Sequence, residues 1–207
     1  MFFFYISGEP LQIDNIFLEK TASTNTYAKE NVESFDANNI TCITTKEQTA
    51  GRGQFAKSWY SPPGKNLLTP FYFTLSKNQK DIEHLAQLMA QSVAKILLQM
   101  GFSPQFKWPN DLLLCQKKVC GVLAEITQQK ELIYVFIGVG LNINMGKEDL
   151  EQIDQPATSL LAESEKTFSI EEILLSLQEQ FSDDLALFKK RGFSPFLEFI
   201  NDLLDQD

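Results

Sequence analysis

Between residues 81 and 100 the apolar positions Ile82, Leu85, Met89, Val93, Ile96 and Met100 recur at intervals of three and four, which is the period of one helix face. Elsewhere the pattern alternates. IDNIFLEK (13–20) reads as a strand, NITCITT (39–45) and LLTPFYFTL (67–75) as two more, and the opening MFFFYIS as another. Ser23-Thr24-Asn25 supplies an N-cap for a short helix through Val32. DLLLC, VCGVLAEI and ELIYVFIGVGLNI, separated by polar turn residues, form a strand meander. After Asn144 the period becomes helical: Thr158 or Ser159 caps a short helix, a long one runs from Ile170 to about Lys190, and Ser194-Pro195 opens the last. Strands clustered in the middle and helices packed outside predict an α+β fold, with a mixed, largely antiparallel sheet flanked by helices. With no internal repeat and no low-complexity linker, one domain is expected over residues 1–207.

Composition narrows the function. The 207 residues are 43% hydrophobic and 12% aromatic, enough for a real core. Eighteen Lys and Arg against 27 Asp and Glu leave a net charge of −9, which disfavours a nucleic-acid backbone as partner. The acid is concentrated: residues 147–207 hold 15 acidic and 5 basic residues, and the rest is about neutral. Within that rest, KEQTAGRGQFAKSWYSPPGKN (46–66) carries four cations against Glu47 and no aliphatic side chain larger than alanine. A local cationic loop on an acidic protein suggests a small anionic ligand. Three cysteines without CxxC spacing fit a reducing cytoplasm, and the single histidine, His84, placed by the spacing of its neighbours on the surface or flank of a helix, disfavours multi-histidine metal sites and serine-histidine-aspartate hydrolysis. The apolar N-terminal run is too short for a membrane span, so no membrane is expected.

Four polar clusters carry candidate chemistry, each with a plainer reading beside it. Ser23, Thr24 and Asn25 are a helix cap or a set of hydroxyl and amide groups facing a ligand. Gly51 and Gly53 flank Arg52, so backbone approaches a ligand closely while a planar fork meets carboxylate or phosphate, or else the segment is a mobile hairpin loop. In FKWPNDLLL, Lys107, Asn110 and Asp111 gather at a strand entrance, as a binding cluster or as a salt-bridged turn. Lys118, three residues before Gly121 in an apolar strand, is an edge-protecting charge or a cation aimed into a site that the glycine keeps open. IGVGLNIN, with two glycines and Asn142, admits the same two readings.

Taken together and in order, STN, EQTAGRG with a following Trp, SPPGKNL, KWPND, KxxG (Lys118 to Gly121) and GVGLNIN closely resemble the catalytic domain of biotin protein ligases, from about Ile13 to at least Asn144. The resemblance implies a fold like that of class II aminoacyl-tRNA synthetases. It implies activation of biotin by MgATP to biotinyl-AMP, then transfer to a lysine of the biotin carboxyl carrier protein of acetyl-CoA carboxylase. ATP and Mg2+ would be co-substrate and activator, with no tightly bound prosthetic group. By the same resemblance Arg52 bridges biotin carboxylate and phosphate, Lys107 sits on the ATP phosphates, Lys118 contacts the biotin carboxyl, and Asp111 orients the cations or helps hold magnesium. Ser23, Thr24 and Gln48 serve the ureido ring, and Asn25, Gly51, Gly53 and Gly121 also bind biotin. Trp59, Asn110 and Asn142 serve the adenylate. Because a mixed anhydride hydrolyses readily, 46–66 is expected to be a ligand-ordered lid with Trp59 as a wall.

Where many bacterial relatives read GRGRRGR, this chain reads GRGQFAK, with Gln54 and Ala56 at frequently basic and glycine positions. No helix-turn-helix is expected ahead of the catalytic domain, hence no DNA partner, and the small C-terminal β-barrel of relatives is absent or not included. A homodimer is left open. The rival readings are a lipoate or octanoate ligase or transferase, whose apolar acyl tails need no ureido partners, and a non-catalytic module that holds biotin or the carrier.

Overall fold

Seven strands, β1 (Ile13–Thr21), β2 (Ile40–Gln48), β3 (Asn66–Ser76), β4 (Gln105–Lys107), β5 (Asp111–Leu114), β6 (Lys117–Gln129) and β7 (Leu132–Asn142), join in one sheet in the computed structural model. It describes residues 11–51, 53 and 58–204. The order is β1-β2-β3-β7-β6-β5-β4. Only β1 and β2 are parallel; every other neighbouring pair is antiparallel, as the mixed-sheet reading expects. A parallel pair needs a crossover, and α1 (Thr24–Glu30) with the 3-10 turn Val32–Ser34 supplies it.

Alternation along β3 divides the sheet into two faces. Phe71 and Phe73 point to one side, where Phe181 of α5 (Ile170–Arg191) meets them at ring-centroid distances of 5.3 and 5.8 Å. On the same side α2 (Leu85–Gln99) rests on β5, β6 and β7 and against α5. Most of α2 is buried, since sheet and helix cover it from two directions. Tyr72 points the other way, into a smaller cluster with Ile43, Phe136 and Ala28 of α1. Burial there pushes the Tyr72 hydroxyl up to about 12, and the nearby Tyr134 adds to the shift.

The remaining helices are α3 (Lys147–Leu150), α4 (Leu160–Ser164) and α6 (Leu197–Leu203). Ser159 rather than Thr158 caps α4, accepting from the Ala162 N–H at 3.0 Å, and Ser169 caps α5 through Glu172 at 3.2 Å. The helix expected from Asp81 begins instead as a 3-10 turn, Ile82–His84, preceded by Asp81 in a left-handed backbone (φ 62°). His84 is stacked on Phe193 at 4.5 Å, a packing role in keeping with its place on the flank of a helix. Before α6 the Ser194-Pro195 signal opens a 3-10 turn, Ser194–Phe196. β4 and α3 have no counterpart in the hydrophobic pattern; at three and four residues they are too short to show a period. The strand expected at residues 1–7 lies outside the described residues.

Candidate active site

Strand register sets the floor of the site. Residues paired across neighbouring strands share a face, and here Leu68, Gly140 and Gly121 pair in one row, with Asp111 of β5 paired to Gly121. The next row is Pro70, Gly138 and Leu123. Three glycines on the α1 side of an otherwise apolar sheet leave a trough, and a cleft of about 230 Å³ opens over it.

One end of the cleft is polar and neutral. Ser23 and Thr24, both buried, lie where β1 gives way to α1. Ser23 has the backbone of an N-cap, yet its hydroxyl makes no capping bond, so the cap reading accounts for its backbone and not for its side chain. Thr24 donates through its N–H (2.8 Å) and hydroxyl (3.0 Å) to Gln48 Oε1 at the end of β2. That commits the Gln48 carbonyl to Thr24 and leaves its amide nitrogen as a donor. Asn25 lies on Gly138: a Cβ added there would come within 2.5 Å of Asn25 Oδ1.

The other end is charged. Lys118 Nζ and Asp111 pair at 2.8 Å with side chains 19% and 22% exposed. The bond spans the β5–β6 hairpin, so Asp111 is partnered by Lys118 rather than closing a turn with Lys107. Lys118 is also braced from outside the sheet, its N–H donating to the Pro156 carbonyl (3.0 Å) and its carbonyl accepting from Thr158 N–H (2.9 Å). Its charge therefore points into the cleft from a paired strand, which does not fit edge protection. Burial, with the Asp111 charge beside it, drives the neighbouring Cys120 thiol far upward, so it stays neutral; Lys118 opposes only part of that.

Trp59 crosses the floor between these ends. Its backbone N–H donates to the Gly51 carbonyl at 3.0 Å. Its indole lies against two of the glycines: a Cβ on Gly140 would fall 2.6 Å from Cε2 and Cζ2, and one on Gly121 2.9 Å from Cζ3. Lys118 Nζ is 5.4 Å from the ring centroid. The indole N–H is buried and has no hydrogen-bond partner among the described residues.

Of the residues read from sequence, Ser23, Thr24, Asn25, Gln48, Gly53, Trp59, Asn110, Asp111, Lys118 and Gly121 all line the cleft. Gly51 stands behind Trp59. Asn110 clips the KWPND turn to β6, its side-chain amide donating to the Val122 carbonyl and its own carbonyl accepting from Val122 N–H at 3.0 Å. Two residues are not brought in. Lys107, at the end of β4, is exposed and outside the lining. Asn142 is buried, donates to the Thr158 carbonyl at 3.0 Å and keeps an unpartnered Oδ1 among the described residues. Arg52, Gln54, Ala56 and Lys57 lie outside the described residues. The two glycines of IGVGLNIN, Gly138 and Gly140, line it as well, and the structure adds Gln155, which had no part in the sequence reading.

Asp111 is the one carboxylate among the described lining residues, and among the described residues no group of three or more metal-ligating side chains gathers. A single carboxylate suits Mg2+ delivered with nucleotide phosphates, which supply the other ligands.

The family model of the biotin/lipoate A/B protein ligases matches residues 17–142. The chain belongs to that family. Among curated members of the biotin/lipoate ligases, the bifunctional ligase/repressor BirA of Salmonella typhimurium is 29% identical over 177 residues, covering 84% of this chain and 54% of BirA. Biotin--[acetyl-CoA-carboxylase] ligase of Paracoccus denitrificans is 28% identical over 186 residues, covering 86% of this chain and 75% of that protein. The chain thus spans about half the length of the bifunctional relatives it matches. The solved structure of the biotin protein ligase from Aquifex aeolicus in complex with biotin and ATP superposes with a TM-score of 0.75 at 31% identity, covering 92% of this chain and 78% of that one. The sheet flanked by helices is therefore the fold of this ligase family. Among the described residues no helix is long and apolar enough to cross a membrane.

Proposed function

We propose that the chain activates biotin with MgATP to biotinyl-5'-AMP and transfers the biotinyl group to a lysine of the biotin carboxyl carrier protein of acetyl-CoA carboxylase. The observation that carries this reading is the two-ended cleft: Ser23, Thr24, Asn25 and Gln48 at one end, the Lys118–Asp111 pair at the other, and a glycine floor between. A buried ureido ring needs hydrogen-bond partners once its water is removed, and the neutral end supplies donor and acceptor groups. A carboxylate attacking a phosphate is an anion meeting an anion, so fixed positive charge must lie where the two meet. Lys118 provides it, held by Asp111 and by the backbone of Pro156 and Thr158.

In the first step a biotin carboxylate oxygen bonds to the α-phosphorus and pyrophosphate leaves. In the second a carrier lysine amine bonds to the acyl carbon, AMP leaves, and the amine loses a proton. Bound Mg2+ would neutralise phosphate charge, with Asp111 as the protein carboxylate beside it. Arg52 is the further cation for the phosphates, with Asn110 and Trp59 the groups for the nucleotide; Lys107 and Asn142, which stand outside the cleft lining, would serve the phosphates and the adenine only from beyond it. Gly51, Gly53 and Gly121 let backbone approach the ligand. Three free cysteines, two of them buried, suit a cytoplasmic setting, and the net charge of −9 speaks against DNA as a partner.

The test is ATP–pyrophosphate exchange by the purified chain with magnesium, offering biotin, lipoate or octanoate. Exchange with biotin alone supports the reading. Exchange with lipoate or octanoate moves the chain to the other branch of its family, and none with any acid leaves a binding module.

A further inference from the structure

Glu125 lies outside the cleft lining, two residues beyond Leu123 on the same face of β6. Its Oε2 accepts from Asn25 Nδ2 at 3.1 Å, and its Oε1 pairs with Lys29 Nζ at 2.6 Å, one turn along α1 from Asn25. Asn25 has an amide with a donor end and an acceptor end, and an amide left alone can present either. A carboxylate only accepts, so it can meet only the nitrogen, and Lys29 holds its other oxygen in place. The carbonyl oxygen is then the end of the amide nearest Gly138, 2.5 Å from where a Cβ on that glycine would stand.

We propose that Glu125 is a positioning residue that fixes the Asn25 amide, so that the neutral end of the cleft presents an acceptor to an N–H of the ligand's ureido ring. This rests on the biotin reading of the site. Gln48, with its oxygen held by Thr24, presents a donor, and Asn25, with its nitrogen held by Glu125, presents an acceptor. Together they complement a ring that carries both N–H and C=O groups. A glutamine at 125 meets either end of the Asn25 amide and lets it turn over.

The experiment is isothermal titration of biotin into the full chain as wild type, Glu125→Gln, Asn25→Ala and the double variant, with pyrophosphate-exchange kinetics alongside. Glu125→Gln is expected to weaken biotin about tenfold, the size of one misdirected hydrogen bond, with kcat and the KM for ATP unchanged. In the Asn25→Ala background it should weaken biotin less than about twofold further, because it acts through Asn25. Glu125→Ala gives the same comparison if the glutamine variant does not fold. Unchanged biotin affinity in Glu125→Gln, or an equal loss in both backgrounds, overturns the proposal. A wild-type chain that binds no biotin overturns the reading of the site and this proposal with it, an outcome distinct from a wild type that binds and a variant that binds equally well.

Discussion

The indole of Trp59 rests directly on the backbone of Gly140, so closely that a methyl group on that glycine would lie 2.6 Å from two ring carbons. Two atoms cannot share that space, so Gly140→Ala must move the indole, at a cost of roughly 1–3 kcal/mol for overpacking. In a Trp108→Phe background, where the exposed second tryptophan is gone, the emission of Trp59 is expected to shift to the red as the ring leaves the trough. An unshifted spectrum would show that the ring does not depend on the missing Cβ.

That relationship was only half legible in the sequence. Glycines at 121, 138 and 140 are visible in two apolar runs, but their convergence on one face depends on β6–β7 register, which composition does not state. The register was recoverable in principle: pairing Gly121 with Gly140 across the turn also places Gly138 opposite Leu123. The long elements were readable because α2, β3, β6 and β7 run for enough residues to display a period, whereas β4 and α3 do not. Gln155 carried no signal, since it reaches the cleft only because the backbone around Pro156 pairs with Lys118. The tie between Lys118 and Asp111 was hidden for a similar reason. Asp111 has a nearer cation in sequence, Lys107, but the hairpin turns Lys118 toward it instead.

Lys118→Met is expected to lower kcat for biotin-dependent pyrophosphate exchange by about 10²–10³, the usual loss when one fixed charge-stabilising donor is removed. The methionine keeps the stem that packs beside Trp59 but leaves Asp111 negative and unpartnered in a cleft that must admit another carboxylate. The KM for biotin should change less than kcat, because the groups proposed for the ureido ring at the other end are untouched. A variant with unaltered kcat would remove Lys118 from the chemistry.

Asp149 ties the end of the cationic segment to the start of α3. It accepts from Lys65 Nζ at 2.6 Å and from the Gly146 N–H at 2.9 Å. Burial alone would raise its pKa, but these two partners outweigh it and hold the carboxyl below its usual 3.8. A folded pKa below the unfolded one contributes stability that is fully present above the unfolded value and is lost as pH falls through the folded value. The stability difference between wild type and Asp149→Asn should therefore stay level from about pH 5 to 8 and shrink below about pH 4. Urea unfolding at a series of pH values measures it, and a difference that grows on acidification would contradict the assignment.

On the helix side of the sheet, Asp184 of α5 is buried with its side chain 5% exposed, accepting from Ser92 Oγ (2.8 Å), Lys95 Nζ (2.6 Å) and Gln180 Nε2 (3.2 Å). Lys95 lies near the rings of Phe196 and Phe199, 5.9 and 5.8 Å from their centroids, so the pair links α2, α5 and the C-terminal turn. Removing one partner of a buried ion pair costs about 3–5 kcal/mol, chiefly because the other charge is left uncompensated. Lys95 is 27% exposed and retains some water, which puts Asp184→Ala near the lower end, about 3 kcal/mol. At this size that corresponds to a Tm lowered by roughly 6–12 °C. Adding Lys95→Met should restore much of the loss, since a methionine fits the aromatic surroundings and carries no charge to strand. Below the melting transition the KM for biotin should match wild type in both variants, because the pair sits across the sheet from the glycine floor. A double variant no more stable than Asp184→Ala would mean that the hydrogen bonds to Ser92 and Gln180, not the ion pair, hold these helices together.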